Sequence, residues 1–234
     1  MDFLADLFEQ GLQHRSINTI RSAVSMSHSH IEGVPIGQHP LVTRLLKGIY
    51  NSRPPQPRYT DTWNVDVVLS YLVSLGVNSQ LSLKQLSQKL VILMALVQAS
   101  RSSELHALDV RFRVHKPDGV VFTLPTLTKK RKVGAPAKEL FFGAYPADSR
   151  LCVTQCLRQY EQVTYSFRLK EKEVSNPLFL SYIKPHKPVS TDRIAHWMKD
   201  LLKKAGIDVS VFKAHSGAST TAARDKGHFH FAVM

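Results

Sequence analysis

The chain has 234 residues, 43% of them hydrophobic, and its 31 lysines and arginines outnumber 18 aspartates and glutamates, for a formal charge of +13. That length holds one large domain or one and a half with a real core, and a chain this basic usually meets a polyanion, most often nucleic acid. No apolar stretch reaches the roughly 18 residues of a membrane span, no long basic amphipathic helix suggests a membrane surface, and Met1-Asp2-Phe3-Leu4 lacks the basic-then-apolar layout of a secretory signal.

Residues 2–13 read as a short amphipathic helix ending near Gly11. Ser16 is placed to cap a second helix over 17–28, with Ile17, Ile20, Val24 and Met26 among its apolar positions. Gly33-Val34-Pro35-Ile36-Gly37 breaks the pattern, and residues 40–50 then carry Leu41, Leu45, Leu46 and Ile49 in helical spacing. Three short helices in about 50 residues bury too little to be secure alone, so residues 1–52 read as part of a helical module. Prolines 54, 55 and 57 mark residues 53–60 as an extended linker.

Residues 61–234 form the second domain. A helix is expected over 64–75, stopped by Gly76. Ser82 and Gln85 make a capping box for a long helix over 83–99, and its Leu83, Leu86, Leu90, Leu93, Met94 and Val97 mark it as the core helix. After Asp109 the period changes to two. Val110 to His115, Val120 to Leu124 and Glu139 to Phe142 read as three short strands of an antiparallel sheet, with Pro117-Asp118-Gly119 as the first turn. Helix returns over 149–163, capped by Asp148 or Ser149, and Pro177 to Leu180 suggests a short strand. Ser190 caps a helix over 191–205 (Ile194, Trp197, Met198, Leu201, Leu202), closed by Gly206, and a small-residue helix is expected near 218–226. The fold class is mainly α with a small three-stranded antiparallel sheet.

Three features could carry chemistry. Arg101 leaves the end of the core helix, Ser102 and Ser103 are good N-caps for a short helix, and Glu104 is close enough to orient the arginine. A fork held on a rigid core suits phosphate oxygens; taken alone, however, the residues read first as an ordinary Arg–Glu pair capping a helix. Lys129, Lys130, Arg131 and Lys132 form a basic hairpin tip whose mutual repulsion a DNA backbone would relieve. The same run also suits a solvated loop or a nuclear import signal. His215 precedes a helix start, where backbone N–H groups favour anions, though a histidine there also serves as a cap or packing residue. Cys152 and Cys156 have no second cysteine pair and no nearby histidine, which argues against zinc and for buried thiols.

The pattern Arg101-x-x-Glu104-Leu105-x-x-Leu108, the sheet with lysine in a hairpin, and then Ala214-His215 resemble the catalytic domain of tyrosine recombinases, the phage-integrase family. Val189-Ser190-Thr191-Asp192-Arg193-Ile194-Ala195-x-Trp197 and Phe212-Lys213-Ala214-His215-Ser216 look most like the integrase-like recombinases of animal mobile elements. The resemblance spans about residues 10–227, with residues 1–52 similar to the later part of the family's helical core-binding (SAM-like) domain. It implies double-stranded DNA as partner, self-association on DNA, a nuclear or other intracellular site, and no metal or small-molecule cofactor. It also implies a reaction in which a tyrosine attacks a phosphodiester to form a 3′-phosphotyrosine link. Arg101 would hold a phosphate oxygen, Lys129 would protonate the leaving 5′-oxygen, with Lys130 and Lys132 as alternatives, and His215 would assist at the phosphate.

The chain departs from this pattern at two places. An H-x-x-R motif starting at His215 needs arginine at 218, where Ala218 stands, and the last tyrosine is Tyr182, before the histidine. The expectation is a recombinase-like DNA-binding protein, truncated at both ends and deficient in strand cleavage. The alternatives are an active recombinase whose sequence is truncated or mis-spliced, and a domesticated fragment that binds proteins.

Overall fold

The computed structural model describes residues 2–55, 63–125, 136–168 and 175–210. The chain divides into two compact units, Met1–Thr60 and Asp61–Met234.

The first unit holds helices α1 (Asp2–Glu9), α2 (His14–Ser27) and α3 (Pro40–Ser52) around Leu4, Ile17, Val42, Leu46 and Ile49. Helix α2 starts at His14, before the expected Ser16 cap, because the Gln13 carbonyl already accepts the N–H groups of Ser16 and Ile17. Of the apolar positions expected there, Ile17 is buried while Met26 is 89% exposed. In α3 the buried stripe is Val42, Leu46 and Ile49, at i, i+4 and i+7; Leu41 falls outside that stripe and is exposed. Arg53, expected to open the linker, donates to the carbonyls of Leu12 and Phe8 at 3.3 and 3.4 Å. Its guanidinium also lies 4.3 Å from the centre of the Phe8 ring.

The second unit is built around α5 (Leu83–Gln98), whose residues from Leu86 to Val97 are all buried. The capping box is formed as expected: Ser82 Oγ accepts from the Gln85 N–H at 3.4 Å, and Gln85 Oε1 accepts from the Ser82 N–H at 3.1 Å. The helix is covered on every side, so Ser87, Gln88 and Lys89 are buried as well. Lys89 Nζ donates to the Gly76 carbonyl at 3.4 Å, and burial pushes its pKa down. Helix α4 (Val65–Ser74) is capped by the Asn64 side chain. Helix α8 (Thr191–Lys204) is capped by Ser190, and Ile194, Trp197, Met198, Leu201 and Leu202 enter the core as expected.

The sheet is antiparallel in the order β1-β2-β3, formed by Arg113–Lys116, Gly119–Thr123 and Glu139–Gly143. Its register sets Phe122 between Arg113 and Leu140, and Val120 between His115 and Phe142. The expected first strand is too long, because residues 110–112 form a turn of 3₁₀ helix. Asp109 Oδ1 accepts the Arg111 N–H at 2.9 Å and curls the chain there. Asp148 does the same with the Arg150 N–H at 2.8 Å, so α7 (Val153–Thr164) starts after Cys152 and not at 149. Pro177 and Leu180 make isolated bridges to Asp109 and Pro188 in place of a strand. Cys152 and Cys156 are free and buried, and burial pushes the Cys156 thiol up to about 12. The helix expected near 218–226 lies outside the described residues.

Leu93, with no exposed surface, tests this core. Leu93→Ala should cost about 2–5 kcal/mol in chemical denaturation, whereas Met26→Ala should change stability by less than about 0.5 kcal/mol.

Candidate nucleic-acid interface

Helix α5 ends abruptly. Ala99 takes a left-handed conformation at φ 49°, and the Gln98 side chain donates to the Phe141 carbonyl of β3. Ser100 is buried, and Arg101 then emerges exposed as the N-cap of α6 (Ser102–His106). Arg101 holds this cap position itself, in place of the expected Ser102 or Ser103; Ser102 is the first helical residue. The Arg101 carbonyl accepts the Glu104 and Leu105 N–H groups at 2.9 and 3.0 Å.

Glu104 orients Arg101 through its backbone. Glu104 Oε2 accepts the Arg101 N–H at 3.0 Å, and Oε1 pairs with Lys138 Nζ at 2.6 Å. Burial opposes ionisation of Glu104, but the Lys138 ammonium and the Arg101 N–H outweigh it and hold the carboxyl below its ordinary range. The Arg101 guanidinium has no hydrogen-bond partner among the described residues: Glu104 caps the helix through the Arg101 backbone, and the two side chains attract each other only through space. Lys138 also fixes the base of the β2–β3 connection, since its carbonyl accepts the N–H of buried Leu124 at 2.8 Å. The root of that connection is therefore tied to the helix that Arg101 starts. Lys129, Lys130, Arg131 and Lys132, within the connection, and His215 lie outside the described residues.

The short helix is anchored on three sides. Leu105 and Leu108 are buried, and His106 Nδ1 bonds the Val189 carbonyl at 2.9 Å, just before α8. Asp109, buried, accepts from the Asn176 N–H at 2.9 Å and from Ser175 Oγ at 3.3 Å, and pairs with Arg111 at 3.0 Å. Burial raises the Asp109 pKa, and the hydrogen bonds and charge of Arg111, with the Asn176 N–H, overcome that and hold it below the usual carboxylate value. Arg101 thus stands on a base tied into the core by buried side chains and hydrogen bonds.

A cleft of about 630 Å³ in the same unit is lined by residues that include Arg113, Tyr165 and Arg168. It is a poor anion site. Arg113 pairs with Glu161, and Arg168 donates to Thr164, Asn176, Pro177 and Leu178. Among the described residues no group of three or more His, Cys, Asp or Glu side chains could hold a metal ion, and no helix is long and apolar enough to cross a membrane.

Sequence reading missed Lys138. Its one signal is its position, the last cation before the third strand. Asp109 left a clearer signal, an aspartate two residues before an arginine, and Asp148 and Arg150 repeat it.

Compared with solved structures, the chain is similar to the XerH site-specific recombinase, crystallised with palindromic difH substrate as a post-cleavage complex. The TM-score is 0.53 at 13% identity, covering 97% of this chain and 67% of that one. The fold is that of a tyrosine recombinase. At that identity the likeness speaks for the fold alone. No protein-family model matches the sequence, and no curated protein does.

The depressed Asp109 pKa sets a pH dependence with a definite sign. Its stabilisation is present above the unfolded value of 3.8 and is lost as pH falls through the lower folded value. Asp109→Asn should cost about 2 kcal/mol at pH 7, and denaturant titrations should show the gap to wild type closing in strong acid.

Proposed function

We propose that this chain is a DNA-binding protein of the tyrosine-recombinase type, from the mobile-element branch of that family. Residues 1–52 act as part of a core-binding domain, 53–60 as linker and 61–234 as a catalytic-like domain. The observation that carries this reading is the Arg101 junction. A rigidly seated, exposed guanidinium without a hydrogen-bond partner among the described residues stands beside the root of a basic connection, on a fold shared with a recombinase solved on its DNA substrate.

In this reading Arg101 holds a non-bridging phosphate oxygen by charge-assisted hydrogen bonds. Lys129, Lys130, Arg131 and Lys132 neutralise the neighbouring backbone. Lys129 is the group suited to deliver a proton to a leaving 5′-oxygen, and His215 is the group assigned to assist at the phosphate. Two parts of the reaction have no residue here. Position 218 is alanine, and the 234 residues hold no tyrosine beyond Tyr182. Tyr182 itself is stacked on Trp197, ring centres 5.4 Å apart. These 234 residues therefore grip DNA without cutting it.

Binding to a mixed-sequence duplex should weaken steeply with salt, with a log–log slope near −0.9 per phosphate neutralised. Arg101→Ala should lower affinity about tenfold and flatten the slope by roughly one phosphate. A flat salt response would instead favour a protein-interaction module. Self-association on DNA would appear as a cooperative isotherm.

On a nicked suicide duplex, where a covalent intermediate cannot be reversed, no protein–DNA adduct should accumulate. An adduct that survives denaturing electrophoresis would overturn the assignment of deficient cleavage.

A further inference from the structure

We propose that Lys138 is a positioning residue for Arg101: by neutralising Glu104 it keeps the Arg101 guanidinium free for a DNA phosphate. This rests on the reading of Arg101 as a phosphate contact and adds a residue that the resemblance does not supply.

The geometry contains an apparent contradiction. Glu104 is three residues past Arg101 on the first turn of a helix, a spacing at which oppositely charged side chains pair. Its carboxylate already touches the Arg101 backbone N–H at 3.0 Å. Yet no hydrogen bond joins it to the guanidinium of the same residue, whose charge reaches the carboxylate only through space. The second carboxylate oxygen is occupied by Lys138 Nζ at 2.6 Å.

Lys138 can hold that oxygen because it comes from another element, at the root of the β2–β3 connection, and its backbone is fixed there by the bond from Leu124. The Glu104 side chain is 13% exposed, so it stays put, while that of Lys138 is 43% exposed and reaches in from solvent. Glu104 thus supplies two anchors. One oxygen seats the Arg101 backbone, and the other is satisfied by a cation that is not Arg101. Without Lys138 the free oxygen would attract the nearest cation, and the Arg101 fork would fold back onto its own helix. A phosphate would then have to displace a carboxylate to reach it.

A direct contact between Lys138 and DNA would also make Lys138 matter for binding, but in a different pattern. A positioning role makes the effects of Arg101 and Lys138 strongly non-additive, and a direct contact makes them additive. Removing Glu104 together with Lys138 leaves no carboxylate to capture Arg101, so a positioning role also predicts rescue.

The test uses the full chain and a fluorescein-labelled mixed-sequence duplex, read by anisotropy. Arg101→Ala is introduced into wild type, Lys138→Gln and the double variant Glu104→Gln/Lys138→Gln. The expected loss is about tenfold in wild type, less than about twofold in Lys138→Gln, and again about tenfold in the double variant. Lys138→Arg should behave as wild type. A loss in Lys138→Gln equal to that in wild type overturns the proposal while leaving Arg101 as a phosphate contact. No loss in wild type overturns both.

A second readout needs no DNA. By ¹⁵N NMR the Arg101 Nε–H should exchange rapidly with water in wild type, slow in Lys138→Gln, and speed up again in the double variant. Equal exchange in all three also overturns the proposal, whatever the affinities show.

Discussion

A helix with no face toward water has to end inside the protein and hand the chain back to the surface within a few residues. Helix α5 is buried from Leu86 to Val97, and its end shows how this is done. Gln98 gives its side-chain donor to a strand carbonyl. Ala99 enters the left-handed region, which costs a non-glycine residue about 1 kcal/mol and ends the helix. Ala99 itself reaches solvent, Ser100 is buried again, and Arg101 is exposed. Arg101 is therefore attached directly to buried chain, just past a helix that lies in the core.

Elements specified by their own residues were legible in the sequence. The capping box of Ser82 and Gln85 and the Ser190 cap lie within four residues of the groups they satisfy, and the apolar stripe of α8 maps directly onto its buried face. The errors cluster where a side chain competes with the regular pattern. Asp109 and Asp148 each capture the N–H two residues on and the guanidinium of the same arginine. Each thereby imposes a tight turn on a stretch that periodicity assigned to strand or helix. In the first unit the error is of degree. With few residues to bury, α2 turns only Ile17 fully inward, and period alone cannot say how many apolar positions a small core will take.

At the candidate site, sequence singled out Arg101 and the contact from Glu104 but not the second partner that Glu104 takes. Glu104 was placed correctly by spacing, but its side-chain partner is 34 residues away. Local spacing could suggest a pair with Arg101 and could not reveal a competitor arriving from the sheet. That limit is general for ion pairs, because a carboxylate has two oxygens and sequence proximity ranks only the near candidates.

The same competition gives the charge surplus its meaning. Asp109 holds Arg111, Asp148 holds Arg150, Glu161 holds Arg113, and Glu104 holds Lys138. Arg168, half-buried, is satisfied by carbonyl and side-chain oxygens. These acids are engaged within the fold, each on a cation that fixes a turn or joins two elements. None of these ion pairs takes the Arg101 guanidinium. With 31 basic residues against 18 acidic ones, the chain has too few carboxylates to pair every cation. Which cations are left over is decided by geometry. At the α5–α6 junction the geometry gives the carboxylate to Lys138 and leaves the guanidinium, whose planar fork matches two phosphate oxygens at once, facing solvent.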